Sequence, residues 1–415
     1  MKILFLNNSD SMGGAAKAAF RLYDSMSDFG VETRMLVRFK DTSDKNVIEI
    51  NKHFKIINKL RKKLENLVLK KYQKRKKNIF STAILKAFLT RKIKKINPDI
   101  IHIHWIGSAF MDMNSFLEFK KPIVWTLHDS WAFTGGCHVP FDCKKYETKC
   151  TKCPVLGSNM ENDLSTFVWE HKNKVYKNID LNIVSPSTWL AICAKSSPLL
   201  YDKNITLIPN GIDIDTFSKS LITKEITNLQ IDKSKKYILF SGDTLDKNKA
   251  FDKLLEAFEL LQNVNNLEIL VIGSERKNNI DLNKNTKINY LGYIKDESIL
   301  ISIYNLVSVA IVPSLQENLP NTIIESLACY TPVVAFNIGG NGDMIDHKIN
   351  GYLAKPFDTI DLAQGIDWVL NNEKYDELCE NARKKVVKKF DSRVVAKQYI
   401  KLYENILNNK KYVTK

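Results

Sequence analysis

The sequence of 415 residues is poor in glycine and proline, with 16 and 11 respectively. These low counts exclude collagen-like and proline-rich fibrous chains. No heptad pattern persists, so an extended coiled coil is excluded too. Charged residues make up 26% and hydrophobic residues 44% of the chain, which is close to the average for folded domains and excludes wholesale disorder. A chain of this length is expected to form two or three domains.

Long apolar runs are also lacking. The first residues, MKILFLNN, hold too short an apolar stretch for a secretory signal peptide and indicate a buried β-strand instead. The longest uncharged stretch, residues 298–316, contains Asn305, Ser308 and Pro313, which favours a helix and a strand over a membrane span. We therefore predict an intracellular protein, whose seven cysteines are thiols or metal ligands.

Acidic residues are nearly missing from one segment. Between Lys55 and Lys95 the chain has 16 Lys or Arg residues and one acid, Glu65, while the net charge of the whole chain is +16. Apolar residues recur there at helical spacing: Ile56, Ile57, Leu60, Leu64, Leu67 and Val68. Such a basic amphipathic helix favours anionic lipid headgroups or nucleic acid. A solvated helix whose apolar stripe packs on its own domain fits as well, and nucleic acid is disfavoured because no nucleic-acid-binding motif accompanies the charge.

Strand-like and helix-like segments alternate in both halves of the chain. The strands of the first half are KILFLN, residues 31–38, DIIHIHW, PIVWTLH and LNIVSPS, and those of the second are YILFSG, LEILVIG, INYLG, VSVAIVPS and PVVAFN. This alternation predicts parallel sheets with right-handed crossovers, and therefore two Rossmann-like domains that join within residues 208–236. Residues 392–409 are predicted to form a long helix. Ligands of such sheets bind outside the carboxyl ends of the strands, so the loops there are the candidate sites.

Three of these loops carry glycine, histidine or lysine. Gly13 and Gly14 follow the first strand and allow backbone N–H groups to approach an anion at a helix N-terminus, although a tight turn without a ligand fits equally well. His128 ends the strand PIVWTLH, where it either faces a ligand or has a structural role. Lys247 and Lys249 precede a helix, where they either contact a phosphate or form an ordinary surface pair.

Two glutamates flank the start of a predicted helix. Glu317 lies in the loop after VSVAIVPS, and Glu325 lies about one turn into the helix that begins near Pro320 and Asn321. The N-terminus of this helix offers N–H groups and a partial positive charge to a phosphate. The two carboxylates can accept hydrogen bonds from sugar hydroxyl groups. A favourable interaction with the helix dipole would explain Glu325 but not Glu317.

Four of the seven cysteines fall within 17 residues: Cys137, Cys143, Cys150 and Cys153. The pair Cys150-x2-Cys153 has the spacing of a zinc knuckle, and four thiolates would complete a closed tetrahedral site. We therefore predict a structural zinc ion, with free thiols and disulfides as the alternatives. A catalytic zinc is not expected, because four cysteines leave no open coordination position.

Together these features resemble the retaining glycosyltransferases of family 4, which have the GT-B fold. The second half carries the more specific motifs, in the order of the family: Pro313-Ser314, the Glu317-x7-Glu325 pair, Thr331-Pro332-Val333-Val334-Ala335, Gly339-Gly340-Asn341 and Asn350-Gly351-Tyr352-Leu353. The first half matches at Gly13-Gly14, His128, Ser185-Pro186-Ser187 and Pro209-Asn210-Gly211-Ile212-Asp213. The segment from Thr126 to Pro154 looks like a branch that builds bacterial exopolysaccharide or lipopolysaccharide, of the colanic-acid type.

The resemblance spans residues 1–390 and implies an α/β fold with two Rossmann-like domains that face a central cleft. Residues 1–207 would form an acceptor-binding domain that contains the basic helices at 52–95 and the cysteine cluster at 137–153. Residues 208–390 would form the domain that binds the nucleotide sugar. Residues 391–415 would form a helix that packs back toward the first domain.

The resemblance also implies a role for each candidate residue. Glu325 would bind the ribose hydroxyls of the nucleotide, Glu317 the hydroxyls of the donor sugar, and His128 the transferred sugar near its anomeric centre. Lys249 would bind phosphate, and Gly14 beside Gly13 would leave room for the diphosphate and the acceptor. The segment Asn318-Leu319-Pro320-Asn321 would present backbone N–H groups to the sugar and the diphosphate.

One position departs from the family pattern. Asp243 stands where the family has an arginine, six residues before Lys249. Either Lys247 substitutes for that arginine, or the diphosphate is bound more weakly.

The resemblance implies an enzyme that moves a sugar, with retention, from a nucleotide sugar to a lipid-linked or oligosaccharide acceptor in cell-surface polysaccharide synthesis. No catalytic cofactor and no nucleic acid partner are expected. An anionic membrane surface is expected as a partner, which places the protein in the cytoplasm, at the inner face of the membrane. A sugar-nucleotide 2-epimerase of the same architecture and a non-catalytic, zinc-stapled binding protein are the alternatives.

Overall fold

The computed structural model describes residues 1–50, 52–76, 79–86, 89–107, 109–219, 234–262, 266–275 and 287–413. The chain divides into two compact units. The first comprises Met1–Gly211 and Val395–Lys415, and the second comprises Ile212–Val394. Each unit is an α/β domain built on one parallel sheet.

The first unit contains a seven-stranded sheet. Its strands are β1 (Lys2–Ser9), β2 (Glu32–Phe39), β3 (Val47–Glu49), β4 (Ile100–Ile103), β5 (Ile123–Thr126), β6 (Leu181–Ser185) and β7 (Asn204–Leu207). All of them pair in parallel, in the order β3-β2-β1-β4-β5-β6-β7. Every residue of β4 and β5 is buried, because a parallel sheet is covered on both faces, and this explains why these strands are nearly continuous apolar runs.

The helices of the first unit connect these strands. They are α1 (Gly14–Ser25), α2 (Lys52–Lys70), α3 (Thr90–Ile96), α4 (Ser115–Glu118), α5 (Leu164–Tyr176) and α6 (Thr188–Ser196). Side chains cap two of them: Asp163 accepts from the amides of Ser165 and Thr166 at the start of α5, and Ser187 accepts from the amide of Leu190 at the start of α6. Such caps satisfy amide groups that have no partner inside the helix.

The second unit contains a six-stranded sheet. Its strands are β8 (Lys236–Ser241), β9 (Leu267–Ile272), β10 (Ile288–Gly292), β11 (Val309–Val312), β12 (Val333–Phe336) and β13 (Gly351–Ala354). They pair in parallel, in the order β10-β9-β8-β11-β12-β13. Its helices are α7 (Phe251–Leu260), α8 (Glu297–Leu306), α9 (Asn321–Ala328), α10 (Asn341–Met344), α11 (Thr359–Leu370) and α12 (Tyr375–Lys389). Within the described ranges, no helix of either unit is both long and apolar enough to cross a bilayer.

The last helix, α13 (Ser392–Val413), covers one face of the first sheet. Its apolar residues share a buried cluster with those of β1, β2 and α1. Two tyrosines also bond to the sheet: the hydroxyl of Tyr399 lies 2.8 Å from Thr126 Oγ1, and that of Tyr403 lies 2.7 Å from His102 Nδ1. Helix α13 is therefore part of the core of the first unit.

The strand order reverses once in each sheet, between β1 and β4 in the first unit and between β8 and β11 in the second. At such a switch point the connections on either side leave in opposite directions, so the loops beyond the carboxyl ends open a crevice. The carboxyl ends of these four strands are therefore where each unit can accommodate a ligand.

We predict that Tyr403→Phe lowers the free energy of unfolding of the first unit by about 1–3 kcal/mol, because the buried nitrogen of His102 loses its partner. Chemical denaturation followed by fluorescence measures this change. Tyr201→Phe is the matched control, since Tyr201 is 62% exposed, and it should change the value by less than about 0.5 kcal/mol. Equal effects of the two substitutions would contradict the prediction.

Candidate functional site

Two loops of the second unit meet outside the carboxyl ends of β8 and β11. The amide of Leu315 donates to the carbonyl oxygen of Asn248 at 2.8 Å. The side-chain amide of Asn248 in turn donates to the carbonyl oxygen of Gln316 at 2.9 Å. These two bonds fasten the loop before α7 to the loop before α9, and they fix the residues that follow each of them.

Lys249 and Glu317 form an ion pair at this junction. Lys249 Nζ lies 2.5 Å from Glu317 Oε1, and the charge of Glu317 raises the pKa of Lys249. The lysine is therefore cationic at neutral pH, and it lies next to a carboxylate that can accept hydrogen bonds from hydroxyl groups. Asp243 and Lys247, on the same loop as Lys249, are exposed.

The segment after Glu317 leads into α9. Leu319 is buried in the apolar core of the unit, and Asn318, Pro320 and Asn321 are partly buried. Pro320 occupies the cap position, and no side chain caps the helix. The positive end of the helix dipole therefore follows directly on the Glu317 loop.

Glu325 lies on the buried side of α9. The hydroxyl of Tyr304, itself fully buried on α8, donates to Glu325 Oε2 at 3.0 Å. A buried carboxyl group that is held in this way has a fixed orientation. The contact with Tyr304 was not predicted, since nothing in the sequence marks this tyrosine.

A third loop, which follows β12, supports Glu317 from its backbone side. The amide of Gly340 donates to the carbonyl oxygen of Glu317 at 3.4 Å. At Gly339 a Cβ atom would lie only 1.8 Å from that oxygen, and the φ angle of 52° is in the left-handed region. Only glycine fits this position without moving Glu317.

In the first unit, Gly13 and Gly14 lie between β1 and α1, and both are exposed. Gly13 is the cap of α1 and has a φ angle of 89°, which favours glycine. Gly14 is the first residue of the helix. The pair thus stands at the switch point of the first sheet, beside the carboxyl end of β4.

His128 follows β5 and is held by His104, which follows β4. His104 Nδ1 lies 2.9 Å from His128 Nε2, and the two rings stack with centroids 5.2 Å apart. Burial lowers the pKa of His128 to about 4, so the imidazole is neutral near pH 7. It can therefore act toward a ligand as a hydrogen-bonding group but not as a cation.

A hydrogen-bond network that was not predicted lies beside His128 and centres on Asp129. The carboxylate of Asp129 accepts from Trp105 Nε1 at 2.9 Å, from the amide of Trp131 at 2.8 Å and from His138 Nδ1 at 2.7 Å. The other nitrogen of His138 lies 2.9 Å from Ser81 Oγ. The acid directly after His128 and the histidine directly after Cys137 were the available signals.

Lys172 is a fully buried lysine that was not predicted either. Its ammonium group donates to the carbonyl oxygens of Trp131 and of Thr134, the latter at 3.0 Å, and lies 3.5 Å from the centre of the Trp131 ring. Burial lowers the pKa of Lys172 to about 7. Because it binds two carbonyls of one short turn, Lys172 holds that turn in place next to Asp129.

The prediction of a structural zinc is not supported. No group of three or more His, Cys, Asp or Glu side chains within the described ranges is placed to hold a metal ion. Cys137 and Cys153 pack in a small apolar cluster, Cys150 Sγ accepts from the amide of Gly135 at 3.1 Å, and Cys143 is partly exposed. Burial raises the pKa of Cys150 to about 12, so this side chain is a neutral thiol in the structure. Spacing along the chain brought these residues into one region without making them ligands.

Helix α2 turns its polar side toward the protein. Its buried residues, Arg61, Glu65 and Leu69, are spaced by four and so lie on one face. Arg61 donates to the carbonyl oxygen of Ala109 at 2.7 Å, and Glu65 Oε1 accepts from the amide of Thr82 at 2.5 Å and from its hydroxyl at 2.6 Å. Two charged side chains, together with Leu69 in a small apolar cluster, attach this helix to the first unit, and the apolar stripe does not.

The apolar stripe of α2 faces the solvent. Its side chains are 36–59% exposed: Ile56, Ile57, Leu60, Leu64, Leu67 and Val68. Packing of the stripe on its own domain, one of the alternatives left by the sequence, is therefore excluded. Exposed lysines accompany the stripe on the same helix: Lys59, Lys62, Lys63 and Lys70.

Comparison with known families matches both units. The family model described as Glycosyltransferase Family 4 matches residues 12–216, and the one described as Glycosyl transferases group 1 matches residues 222–386. The chain therefore belongs to the family 4 glycosyltransferases.

Individual relatives are distant. An uncharacterised glycosyltransferase of Methanocaldococcus jannaschii is 25% identical over 280 residues, which are 65% of this chain and 70% of the relative. A putative colanic acid biosynthesis glycosyltransferase of Escherichia coli, WcaC, is 24% identical over 253 residues, 57% of this chain and 60% of the relative. Sucrose-phosphate synthase from Thermosynechococcus elongatus superposes with a TM-score of 0.69 at 18% identity, covering 98% of this chain and 99% of the other. The predicted GT-B fold, with two Rossmann-like domains, is confirmed.

We predict that Gly339→Ala lowers turnover on the order of 100-fold, because the new methyl group displaces the Glu317 backbone and a misplacement near 1 Å has that scale of effect. The control is Gly342→Ala, whose Cβ would meet its nearest neighbour, Asn337, at an ordinary 3.6 Å. Steady-state rates and melting temperatures of both variants make the comparison. A Gly339→Ala protein that is folded and as active as the control would contradict the assigned role of this loop.

Proposed function

We propose that the protein is a retaining glycosyltransferase that moves a sugar from a nucleoside diphosphate sugar to a lipid-linked or oligosaccharide acceptor in cell-surface polysaccharide synthesis. The observation that carries the proposal is the Lys249–Glu317 pair at the switch point of the second sheet, directly before α9. The cation and the helix N-terminus can bind a diphosphate, and the carboxylate can accept hydrogen bonds from the hydroxyl groups of a sugar ring. The name of the Escherichia coli relative, which refers to colanic acid, supports a polysaccharide product.

In the proposed reaction the bond between the anomeric carbon and the diphosphate oxygen breaks. The acceptor oxygen bonds to the anomeric carbon on the same face, and its proton passes to an oxygen of the departing diphosphate. The charge that develops on the diphosphate is stabilised by Lys249 and the positive end of α9, so no strong general acid is required. Glu317 orients the hydroxyls of the donor sugar. In the first unit, His128 is a neutral imidazole that is suited to contact a sugar.

A thermal-shift screen of UDP-, GDP- and ADP-sugars tests this proposal. The donor that binds is then assayed for turnover with a lipid-linked or oligosaccharide acceptor. Formation of a new glycosidic bond is the expected outcome. Interconversion of the nucleotide sugar without transfer would indicate a 2-epimerase, and binding without any reaction would indicate a non-catalytic protein. Either outcome would overturn the proposal.

The two glutamates should differ in what they contribute. We predict that Glu325→Ala abolishes detectable binding of the donor and of the free nucleotide, because the ribose diol loses its acceptor. Glu317→Ala should reduce turnover more than it reduces affinity for the free nucleotide. Isothermal titration with the nucleotide, combined with kinetics, separates the two effects. Equal losses of nucleotide affinity would show that the division of roles is wrong.

We also propose that α2 docks the enzyme on the anionic inner face of the cytoplasmic membrane. The apolar stripe would enter the headgroup region, while the lysines on the same helix pair with lipid phosphates. Each basic residue contributes up to about 1 kcal/mol near an anionic surface. Such a position suits an acceptor carried on a lipid, because the enzyme then meets it in the plane of the membrane.

We predict that the protein co-sediments with anionic vesicles and that the binding weakens as salt rises, since the attraction is screened over roughly 8 Å at physiological ionic strength. Replacing Leu60, Leu64 and Leu67 with Ser should remove most of the binding without loss of stability, because all three are exposed. The control is Ile192→Ser on α6, also exposed. Equal binding to neutral vesicles, or unchanged binding of the triple variant, would count against docking through α2.

A further inference from the structure

A small cavity opens in the first unit beside His128. It lies at the carboxyl ends of β4 and β5, and the residues that line it include His104, Trp105, Asp129 and Ala132. The centre of a water molecule can occupy a volume of about 10 Å³ inside this cavity. A space of this size has room for one water-sized group.

The indole N–H groups around this cavity already donate hydrogen bonds. The indole N–H of Trp105 donates to Asp129, that of Trp125 donates to the carbonyl oxygen of His104 at 3.0 Å, and that of Trp131 donates to the carbonyl oxygen of Ser81 at 2.8 Å. These bonds hold all three indole rings in place. The cavity therefore has rigid aromatic walls that are preorganised before a ligand enters.

The acceptors around the cavity retain capacity. Asp129 Oδ2 accepts two bonds and Oδ1 accepts one, while a carboxylate has about four acceptor positions. Burial raises the pKa of Asp129, but the interaction with His138 and the hydrogen bonds from its donors outweigh it, and the net shift is downward. The group is therefore ionised. His104 Nε2 is buried and has no hydrogen-bond partner within the described ranges, and it is a donor or an acceptor depending on which nitrogen of the His104–His128 pair carries the proton.

A cavity of this size, in which Asp129 can accept a further hydrogen bond, fits a group that donates one. A hydroxyl group is small enough and is a donor, whereas an acetamido group is too large and brings a carbonyl oxygen toward a carboxylate. Gly107 allows Trp105 to form a wall of the cavity, because a Cβ atom at residue 107 would lie 2.6 Å from the Trp105 ring and would displace the ring. The wall formed by Trp105 therefore depends on this glycine.

We propose that this cavity binds one free hydroxyl group of a sugar substrate, which donates to Asp129 Oδ1, and that it selects against substituents larger than hydroxyl at that position. Trp105, Asp129 and Ala132 are then specificity-determining residues. The assignment rests on the proposed glycosyl transfer. The hydroxyl belongs either to the donor sugar or to the acceptor, and two series of analogues distinguish these sources.

The test uses Ala132→Val, which adds two methyl groups to a residue that lines the cavity. Wild type and variant are assayed with monodeoxy analogues of the donor sugar and, separately, of the acceptor. The variant is expected to lower kcat/KM for the parent substrates at least about tenfold, which corresponds to 1.4 kcal/mol. One analogue, which lacks the bound hydroxyl, is expected to react equally well with both proteins. The series that contains this analogue identifies the source.

Two further variants keep the result interpretable. Ala194→Val, in the same apolar core but not among the residues lining the cavity, is expected to slow no substrate selectively. Asp129→Asn keeps the shape of the side chain and replaces one acceptor oxygen with a donor, so it should lose the same discrimination even if Ala132→Val folds poorly.

Two outcomes would overturn the assignment of the cavity. The first leaves the proposed function intact, and the second overturns both. If the wild type transfers sugar but the cavity variants slow all analogues equally, the hydroxyl site is wrong and the transfer stands. If the wild type uses no nucleotide sugar at all, both proposals fail together.

Discussion

The carboxyl ends of parallel strands all lie at one edge of a sheet, and this constraint determines where each unit can carry out chemistry. Both faces of each sheet are covered by helices, so the strands themselves are almost entirely apolar. In the second unit the loops after β8, β11 and β12 converge on Glu317. In the first unit the loops after β4 and β5 converge on His128 and Asp129. The polar residues of both candidate sites are thus placed by the same rule.

The fold followed from the sequence because its signals are local and repeated. The alternation of short apolar runs with helical segments predicted two parallel sheets, and the structure contains them. The helix after β1 ends at Ser25, and a short 3-10 turn, Ser27–Phe29, completes the connection before Gly30. The long helix expected over residues 392–409 extends to Val413. Boundaries of this kind depend on packing that a single segment does not encode.

The site was predictable where a motif fixes backbone geometry, and less so where partners come from distant segments. The motif identified Glu317 and the loop identified Lys249, but their ion pair joins residues 68 positions apart. Tyr304 and Lys172 carried no signal, because a tyrosine or lysine on an amphipathic helix has no distinctive spacing. The cysteine spacing predicted a metal site that the described residues do not contain, since spacing does not specify the direction of a side chain.

The basic helix illustrates the same limit. Its periodicity correctly gave an amphipathic helix, but periodicity does not state which face is buried. Here Arg61 and Glu65 are satisfied by carbonyl and amide groups of the first unit, so the charged face packs inward and the apolar stripe is left exposed. An exposed apolar stripe on a helix rich in lysine is the observation behind the proposed docking of α2 on a membrane.

The central claim, transfer of a sugar with retention at the Lys249–Glu317 site, is tested most directly by the configuration of the product. Proton NMR of the glycoside formed from an α-linked nucleotide sugar gives the anomeric coupling constant, and the configuration of a glycoside does not change in neutral solution. We expect an α-linked product from the wild type and no product from Lys249→Ala. A β-linked product, or full activity of Lys249→Ala, would contradict it.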